Sequence, residues 1–424
     1  MNMINLYILN ETGRAAIYGI GTYTQELVNA LKNDINICVI NLFAKTHTIE
    51  TECIDEVNYI HIPESLYLTD DLRSVNKYYR NVVCVLKLYI TETENLIFHY
   101  NYNQGKQLLE EIKKEFSCKI ISVIHYMEWS LMIKGNVKYL YEIVNSNKEK
   151  LNSFETILVE SIEQEKRLYA ILDKVICLSE FAKKILQQVY SLHQDKIDVI
   201  PNGLSYFPQH TKDIVCLKTK WLLDLDEKII LFVGRMDDVK GLAYLIKAFR
   251  SVLSVCPQSR LVIAGDGNFS KYTKDAQDIC TKITYTGLLD KAQLHDWYCL
   301  ADVGVTPSLY EPFGYVAVEM MMHGLPIVAT ATSGLNEVVD DSCGLKIPLI
   351  VHPDRVEIDT DLLAEKILFL LQHPEEHRCL GQNARKRYEA VYSAEIFRRN
   401  MIRFYSHLHQ QEAITHAKPI EQED

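Results

Sequence analysis

Short runs of β-branched and other apolar residues recur along the chain, bounded by turn residues, and each is followed by a longer stretch of helical periodicity. Two parallel strands need a connection about as long as a helix, so this alternation predicts a parallel α/β architecture. In the first half the pattern predicts strands over Ile4–Leu9, Ile35–Ile40, Leu96–His99, Ile120–Ile124, Lys174–Leu178 and Ile197–Ile200. In the second half it predicts strands over Ile229–Val233, Arg260–Ala264, Ile283–Tyr285, Val303–Thr306, Ile327–Ala329 and Leu345–Ile347. Between Ile200 and Leu225 the pattern breaks: Pro201-Asn202-Gly203 opens a turn and Pro208 follows before helical periodicity returns near Trp221. Two doubly wound domains are therefore expected, residues 1–203 and 204–390, followed by residues 391–424 as a C-terminal helix and tail.

The span Glu128 to Leu172 is long, polar on one face and free of proline. It predicts one or two helices flanking the first domain, in preference to a mobile acceptor-binding lid. After Thr360 three helical segments are expected to run to about Gln411, and the tail AITHAKPIEQED is polar and expected to fray.

Composition narrows the class. A chain of 424 residues has room for two to four domains, and 48% hydrophobic with 24% charged residues is the balance of a folded globular protein. Lys plus Arg total 45 against 56 for Asp plus Glu, and a formal charge of −11 argues against a nucleic-acid-wrapping partner. The 11 cysteines show no CxxC and no Cys/His pair at zinc spacing, so reduced thiols are expected, with neither a disulfide framework nor a structural metal. The N-terminal MNMINLYILNETG has no basic leader and reads as a first buried strand. No run of ~18 apolar residues occurs, and VVCVLKLYI is broken by Lys87. A cytoplasmic protein is expected, with peripheral attachment to a membrane left open.

The most informative segment is Tyr310-Glu311-Pro312-Phe313-Gly314-Tyr315-Val316-Ala317-Val318-Glu319, directly after the apolar strand. Proline followed by glycine places a helix start at about Gly314 to Val316, whose unpaired N–H groups and positive dipole end suit an anion. Glu311 then lies at the mouth of that site and Glu319 more than a turn inside the helix. A carboxylate beside a phosphate makes sense when it accepts hydrogen bonds from neutral hydroxyls, such as those of a sugar and a ribose. Gly234-Arg235 ends another strand, and Lys240-Gly241 opens the next helix. With the Gly314 helix start, these two cations are placed to hold a diphosphate and to neutralise the charge that grows on a leaving group.

FVGRMDDVKG, AGDGN, EPFGYVAVEMMMHGLPIVAT, SGLNEVVDD and CGLKIP, in that order, resemble the retaining nucleotide-sugar glycosyltransferases of the GT-B superfamily, glycosyltransferase family 4 type. The likeness is strong over about Ile197 to Pro348 and weaker in the first half. It implies two Rossmann-like domains facing a cleft, the first for the acceptor and the second for the donor, with the C-terminal helix crossing back to the first. It further implies that Glu311 contacts donor-sugar hydroxyls, Glu319 the ribose, Arg235 and Lys240 the diphosphate, and the Phe313, Gly314, Tyr315 and Val316 backbone the sugar or phosphate. Gly234 and Gly265 join the donor site on the same resemblance, with base recognition by backbone atoms near Gly287 and Leu288.

In the first half, Tyr18-Gly19-Ile20-Gly21-Thr22-Tyr23 follows the first strand, where Gly19 and Gly21 let a loop and helix start approach the donor phosphate. Ile124-His125-Tyr126 ends another strand; the family often has His followed by Asp there, and Tyr126 replaces that Asp. His125 is the candidate at the reacting carbon in preference to His99. Ser333-Gly334 stands where many relatives have two glycines. Tyr100, Tyr102, Tyr126 and Trp129 offer rings for either sugar stacking or core packing.

The resemblance thus implies a retaining transfer of sugar from a UDP- or GDP-sugar to a glycan, lipid-linked or peptide acceptor, with no cofactor and no metal. Asp224-Leu225-Asp226 and Asp359-Thr360-Asp361 read as turn and helix-start charges, not a metal site. A sugar-nucleotide epimerase and a catalytically silent sugar-nucleotide-binding subunit are the alternatives.

Overall fold

The computed structural model describes residues 4–11, 19–64, 72–206 and 213–416. Pro208, part of the loop after the first strand and most of the polar tail lie outside the described residues. In the first lobe the strands are β1 (Asn5–Glu11), β2 (Asn36–Ala44), β3 (Glu50–Ile54), β4 (Val57–Pro63), β5 (Leu96–Tyr100), β6 (Cys118–Ile124), β7 (Lys174–Cys177) and β8 (Ile197–Val199). They form one sheet in the order β3-β4-β2-β1-β5-β6-β7-β8. The second lobe holds β9 (Lys228–Val233), β10 (Ser259–Ala264), β11 (Ile283–Gly287), β12 (Val303–Thr306), β13 (Ile327–Thr330) and β14 (Gly344–Ile347), ordered β11-β10-β9-β12-β13-β14. Every residue of β5, β12 and β13 is buried, as a parallel sheet covered by helices on both faces requires.

Each strand predicted from the sequence is present, and two hairpins add to them. β3 pairs antiparallel with β4 at the sheet edge, and all its residues are exposed, so the polar run Glu50–Ile54 carries no burial signal. Its two-residue turn, Asp55-Glu56, has φ of 48° and 69°, the primed geometry that hairpins favour, built without glycine. The other hairpin joins β15 (Leu349–Val351) to β16 (Val356–Ile358).

The span after β6 holds three α-helices, Glu128–Met132, Val137–Val144 and Ser153–Ile171, where one or two were expected. Gly135, at φ 73°, and the Asn136 cap end the first and start the second. Asn152 and Glu155 form a capping box on the third, a signal the sequence carries openly.

The chain leaves the first sheet at Val199 and enters the second at Lys228, and its crossing is clamped. Leu204 N–H donates to Tyr392 O at 2.9 Å, Ala394 N–H to Leu204 O at 3.0 Å, and the Ser205 hydroxyl to Glu26 Oε2 at 2.6 Å. The final helix, Ala394–His416, packs on the first-lobe helix Gly19–Leu31. There the Tyr405 hydroxyl sits 2.7 Å from Nδ1 of the fully buried His99, whose Nε2 is 3.3 Å from the Tyr23 hydroxyl. One apolar cluster runs from Tyr23 and Leu27 through Phe397 and Met401 to Ala317 and Met321, joining both lobes.

Tyr405→Phe removes one partner of that buried imidazole, and an unsatisfied buried group costs about 1–3 kcal/mol. The variant is expected to lose that amount of unfolding free energy, read as a lower urea midpoint in equilibrium denaturation.

Candidate functional site

In an open parallel sheet every strand points the same way, so the loops that leave the carboxyl ends share one edge, and a crevice opens where the strand order reverses. The second sheet reverses between β9 and β12. Arg235 and Lys240 follow β9 and Glu311 follows β12, so the topology brings these three to one crevice.

Lys240 ends a short 3-10 turn, Asp238–Lys240, capped by the Asp237 carboxylate, which accepts the Lys240 N–H at 3.2 Å. Gly241 follows at φ 69°, and a Cβ there would come within 1.8 Å of Pro307 O, so only glycine lets this turn lie against the β12 loop. Leu309 N–H donates to Val239 O at 2.7 Å and ties the same two segments. The result is a 2.5 Å ion pair between Lys240 Nζ and Glu311 Oε2, with side-chain exposures of 23% and 18%. Arg235 is turned elsewhere, to Asp237 at 3.1 Å, and remains nearly half exposed.

Ser333 shows why a second glycine is dispensable beside Gly334. At φ 40°, its hydroxyl accepts the Glu311 N–H at 2.9 Å and donates to Glu311 O at 2.7 Å, pinning the Glu311 loop. Gly334 itself is obligatory, since a Cβ would lie 1.8 Å from Pro312 O. Gly314, at φ 101°, precedes the helix Tyr315–Met322, and no side chain caps that helix start. Glu319, inside the helix, accepts from the Tyr298 hydroxyl at 2.5 Å. Burial pushes its carboxyl above the ordinary carboxylate range, while the Tyr298 hydrogen bond and Lys291 pull it back.

Across the cleft, the first sheet reverses between β1 and β5, and the helix Gly19–Leu31 leaves the β1 side. A Cβ on Gly19 would lie 3.7 Å from the Tyr315 ring, so Gly19 faces the Gly314 helix start. Gly21 lies within the first turn of its helix instead of in a loop. His125 follows β6 with Nε2 3.2 Å from Asn101 Oδ1, an oxygen that only accepts; Nε2 therefore carries the proton and Nδ1 the lone pair. Burial, with neighbouring His99, drives the His125 pKa down to about 3, so the ring is neutral at physiological pH. Asn103 donates to Tyr126 O at 2.6 Å and fixes the backbone just beyond His125.

Gly234 and Gly265 pack against each other at the ends of β9 and β10, where a Cβ on Gly265 would lie 2.0 Å from Gly234 O. Gly287 accepts the Gly265 N–H at 2.9 Å and Leu288 beside it is 63% exposed, but they lie at the end of the outermost strand, β11. Two strand spacings, about 10 Å, separate them from β9. Among the aromatic candidates, Tyr100, Tyr102 and Trp129 are core residues closed to a sugar face, and only Tyr126 is partly open. Asp359 caps the helix Thr360–Gln372, as its spacing suggested.

Sequence reasoning missed Glu337. Its carboxylate accepts the Glu180 and Phe181 N–H groups at 2.9 and 2.7 Å, so a second-lobe residue caps the first-lobe helix Glu180–Gln188 across the cleft. Lys134 with Asp238 at 3.1 Å and Asn136 with His352 O at 2.9 Å add to this junction. It also missed His295 and Cys299, spaced four apart, which the fold brings beside His323.

Among the described residues no helix is long and apolar enough to cross a membrane. Comparison with known proteins agrees with the geometry. The model of "Glycosyl transferases group 1" matches residues 217–387, and that of "Glycosyltransferase Family 4" matches residues 17–205. An uncharacterized glycosyltransferase of Methanocaldococcus jannaschii is 34% identical over 173 residues, covering 39% of this chain and 44% of that one. The chain spans about half the length of such curated relatives, 44% and 49% for two of them. Among solved structures, sucrose-phosphate synthase from Thermosynechococcus elongatus superposes with a TM-score of 0.75 at 23% identity, over 96% of this chain and 100% of that one. Anabaena HepE, solved in complex with UDP and glucose, gives 0.68 at 16% identity over 95% and 99%. The fold is thus GT-B, and with family models matching both lobes around the Lys240–Glu311 crevice, the chain belongs to the group 1, family 4 type glycosyltransferases.

Proposed function

We propose that this chain moves a sugar from a nucleoside-diphosphate donor, UDP- or GDP-linked, to a glycan, lipid-linked or peptide acceptor, with retention and with no metal in the leaving-group step. The observation that carries this reading is the meeting of Lys240, Glu311 and an uncapped helix start at one strand-order reversal, facing Gly19. Donor complexes of a fold neighbour, Anabaena HepE with UDP and with UDP-glucose, support a nucleotide sugar as the donor class.

When the bond from the anomeric carbon to the diphosphate breaks, negative charge grows on the departing phosphate. Lys240 and the N–H groups at the Gly314 helix start are already in place for that charge, and Arg235 joins them on leaving Asp237. A diphosphate seated there draws Arg235 from Asp237 and shares Lys240 with Glu311. Glu311 is then left to accept hydrogen bonds from sugar hydroxyls, and Glu319, oriented by Tyr298, from the ribose. The acceptor hydroxyl oxygen bonds the anomeric carbon on the first-lobe side as the bond to the diphosphate breaks, and its proton passes to the departing phosphate oxygen. There the neutral ring of His125 contributes a dipole and a lone pair without a competing positive charge. No side chain is assigned as a covalent nucleophile. Closure of the two lobes on donor and acceptor keeps water from the donor.

Arg235→Ala and Lys240→Ala are each expected to lower turnover of the donor by ~10²- to 10³-fold, the usual loss when one donor of an oxyanion-type site is removed. Losses under about threefold in both remove the diphosphate assignment. Calorimetric titration of Glu319→Gln with UDP and GDP is expected to show weaker binding of whichever nucleotide the parent protein binds; an unchanged affinity withdraws the ribose role. Nucleotide affinity is expected to be the same with and without EDTA, and a loss on chelation argues for a metal-bridged diphosphate instead.

A further inference from the structure

Behind Glu319, on the side of the helix Lys291–Leu300, lies a cluster that the transfer chemistry does not use. His295 and Cys299 are four residues apart on that helix and so share a face, and His323 caps the C-terminus of the helix Tyr315–Met322 beside them. One ligand atom from each of the three lies within 4.8 Å of the others, and all three side chains are partly buried.

The hydrogen bonds assign the protons. His323 Nδ1 is 2.7 Å from Glu319 O, which can only accept, so Nδ1–H donates and the Nε2 lone pair is left facing His295 Nδ1 at 2.6 Å. His295 Nδ1 then holds the proton shared with His323, and its Nε2 lies 3.5 Å from Cys299 Sγ. An imidazole whose far nitrogen donates to a main-chain carbonyl is the arrangement that orients histidine ligands in metal sites. Tyr298 stacks on His323 with centroids 4.8 Å apart and holds the ring in plane.

We propose that His295, Cys299 and His323 bind a thiophilic divalent cation of the zinc class, through two imidazole nitrogens and the Cys299 thiolate, with water completing a tetrahedron. Bonds of about 2.0–2.3 Å place tetrahedral ligand atoms roughly 3.3–3.6 Å apart. With His295 Nε2 as its one ligating atom, the 3.5 Å Cys299–His295 separation already matches; the three ligand atoms, within 4.8 Å of one another, draw together by about 1 Å on the cation, and the hydrogen bond between the imidazoles gives way to bonds to the cation. The His295 ring turns its lone pair inward, and the Cys299 thiol proton passes to solvent on binding. One thiolate with two imidazoles selects zinc over magnesium and calcium, which take oxygen ligands. The site stands independently of the donor-site reading, because its ligands are distinct from Lys240, Arg235 and Glu311.

Cobalt(II) titration of the full chain tests it. The expected result is one cobalt per chain with a thiolate-to-cobalt charge-transfer band in the near ultraviolet and tetrahedral d–d bands in the visible, both bleached by zinc. Cys299→Ser is expected to lose the charge-transfer band, and His323→Gln to bind cobalt at least tenfold more weakly, with metal-free circular dichroism unchanged in each. An independent measurement needs no variant: zinc is expected to slow iodoacetamide alkylation of Cys299 at least tenfold, read by mass spectrometry, while exposed Cys53 and Cys379 react as before. Absence of the charge-transfer band in the parent protein, its survival in Cys299→Ser, or undiminished alkylation of Cys299 under zinc overturns the site.

Discussion

The common direction of the parallel strands is the constraint on which the rest depends. With helices covering both faces, the carboxyl edge is the one place where backbone donors, short loops and side chains can meet a ligand. In the second sheet the chain steps from β9 outward in one direction and from β12 in the other, and the gap between their loops holds Lys240 and Glu311. The first sheet repeats the device between β1 and β5, which aims Gly19 back across the cleft. Two half-sites made by the same rule therefore face each other.

Close backbone approach makes the second half-site rigid. Gly241 against Pro307 and Gly334 against Pro312 leave no room for a Cβ, so the loops that carry Lys240 and Glu311 are seated by contact with neighbouring main chain. Ser333 adds two hydrogen bonds to Glu311 from a single hydroxyl. A partly buried carboxylate left alone would be an uncompensated charge, and pairing with Lys240 neutralises Glu311.

The lobes are joined by polar groups that are satisfied only in the assembled chain. Glu337 caps a helix of the other lobe, Glu26 holds the crossing segment at Ser205, and Tyr405 reaches from the final helix to His99. Each is a buried or half-buried group whose partner lies more than a hundred residues away in sequence, and losing the partner costs more than the bond contributes. The same burial that makes these contacts costly to break also keeps His125 uncharged at the cleft wall.

The sequence by itself determined most of the strands, the two-sheet arrangement and the motifs at the carboxyl edge of the second sheet, because apolar periodicity, Gly/Pro punctuation and the Glu311–Glu319 spacing are local signals. It was silent on β3, whose exposed edge position needs no apolar residues, and on the primed turn at Asp55-Glu56, which lacks the usual glycine. Three helices after β6 were legible in the Gly135-Asn136 and Asn152–Glu155 signals but were merged by their shared polarity. Only tertiary structure decided that Tyr100, Tyr102 and Trp129 are core, that Arg235 turns to Asp237 while Lys240 meets Glu311, and that Glu337 bridges the lobes. Only tertiary structure, likewise, brought His323 to His295 and Cys299. These outcomes depend on which faces of distant segments meet, and a linear pattern records the face a residue presents but not what it will be pressed against.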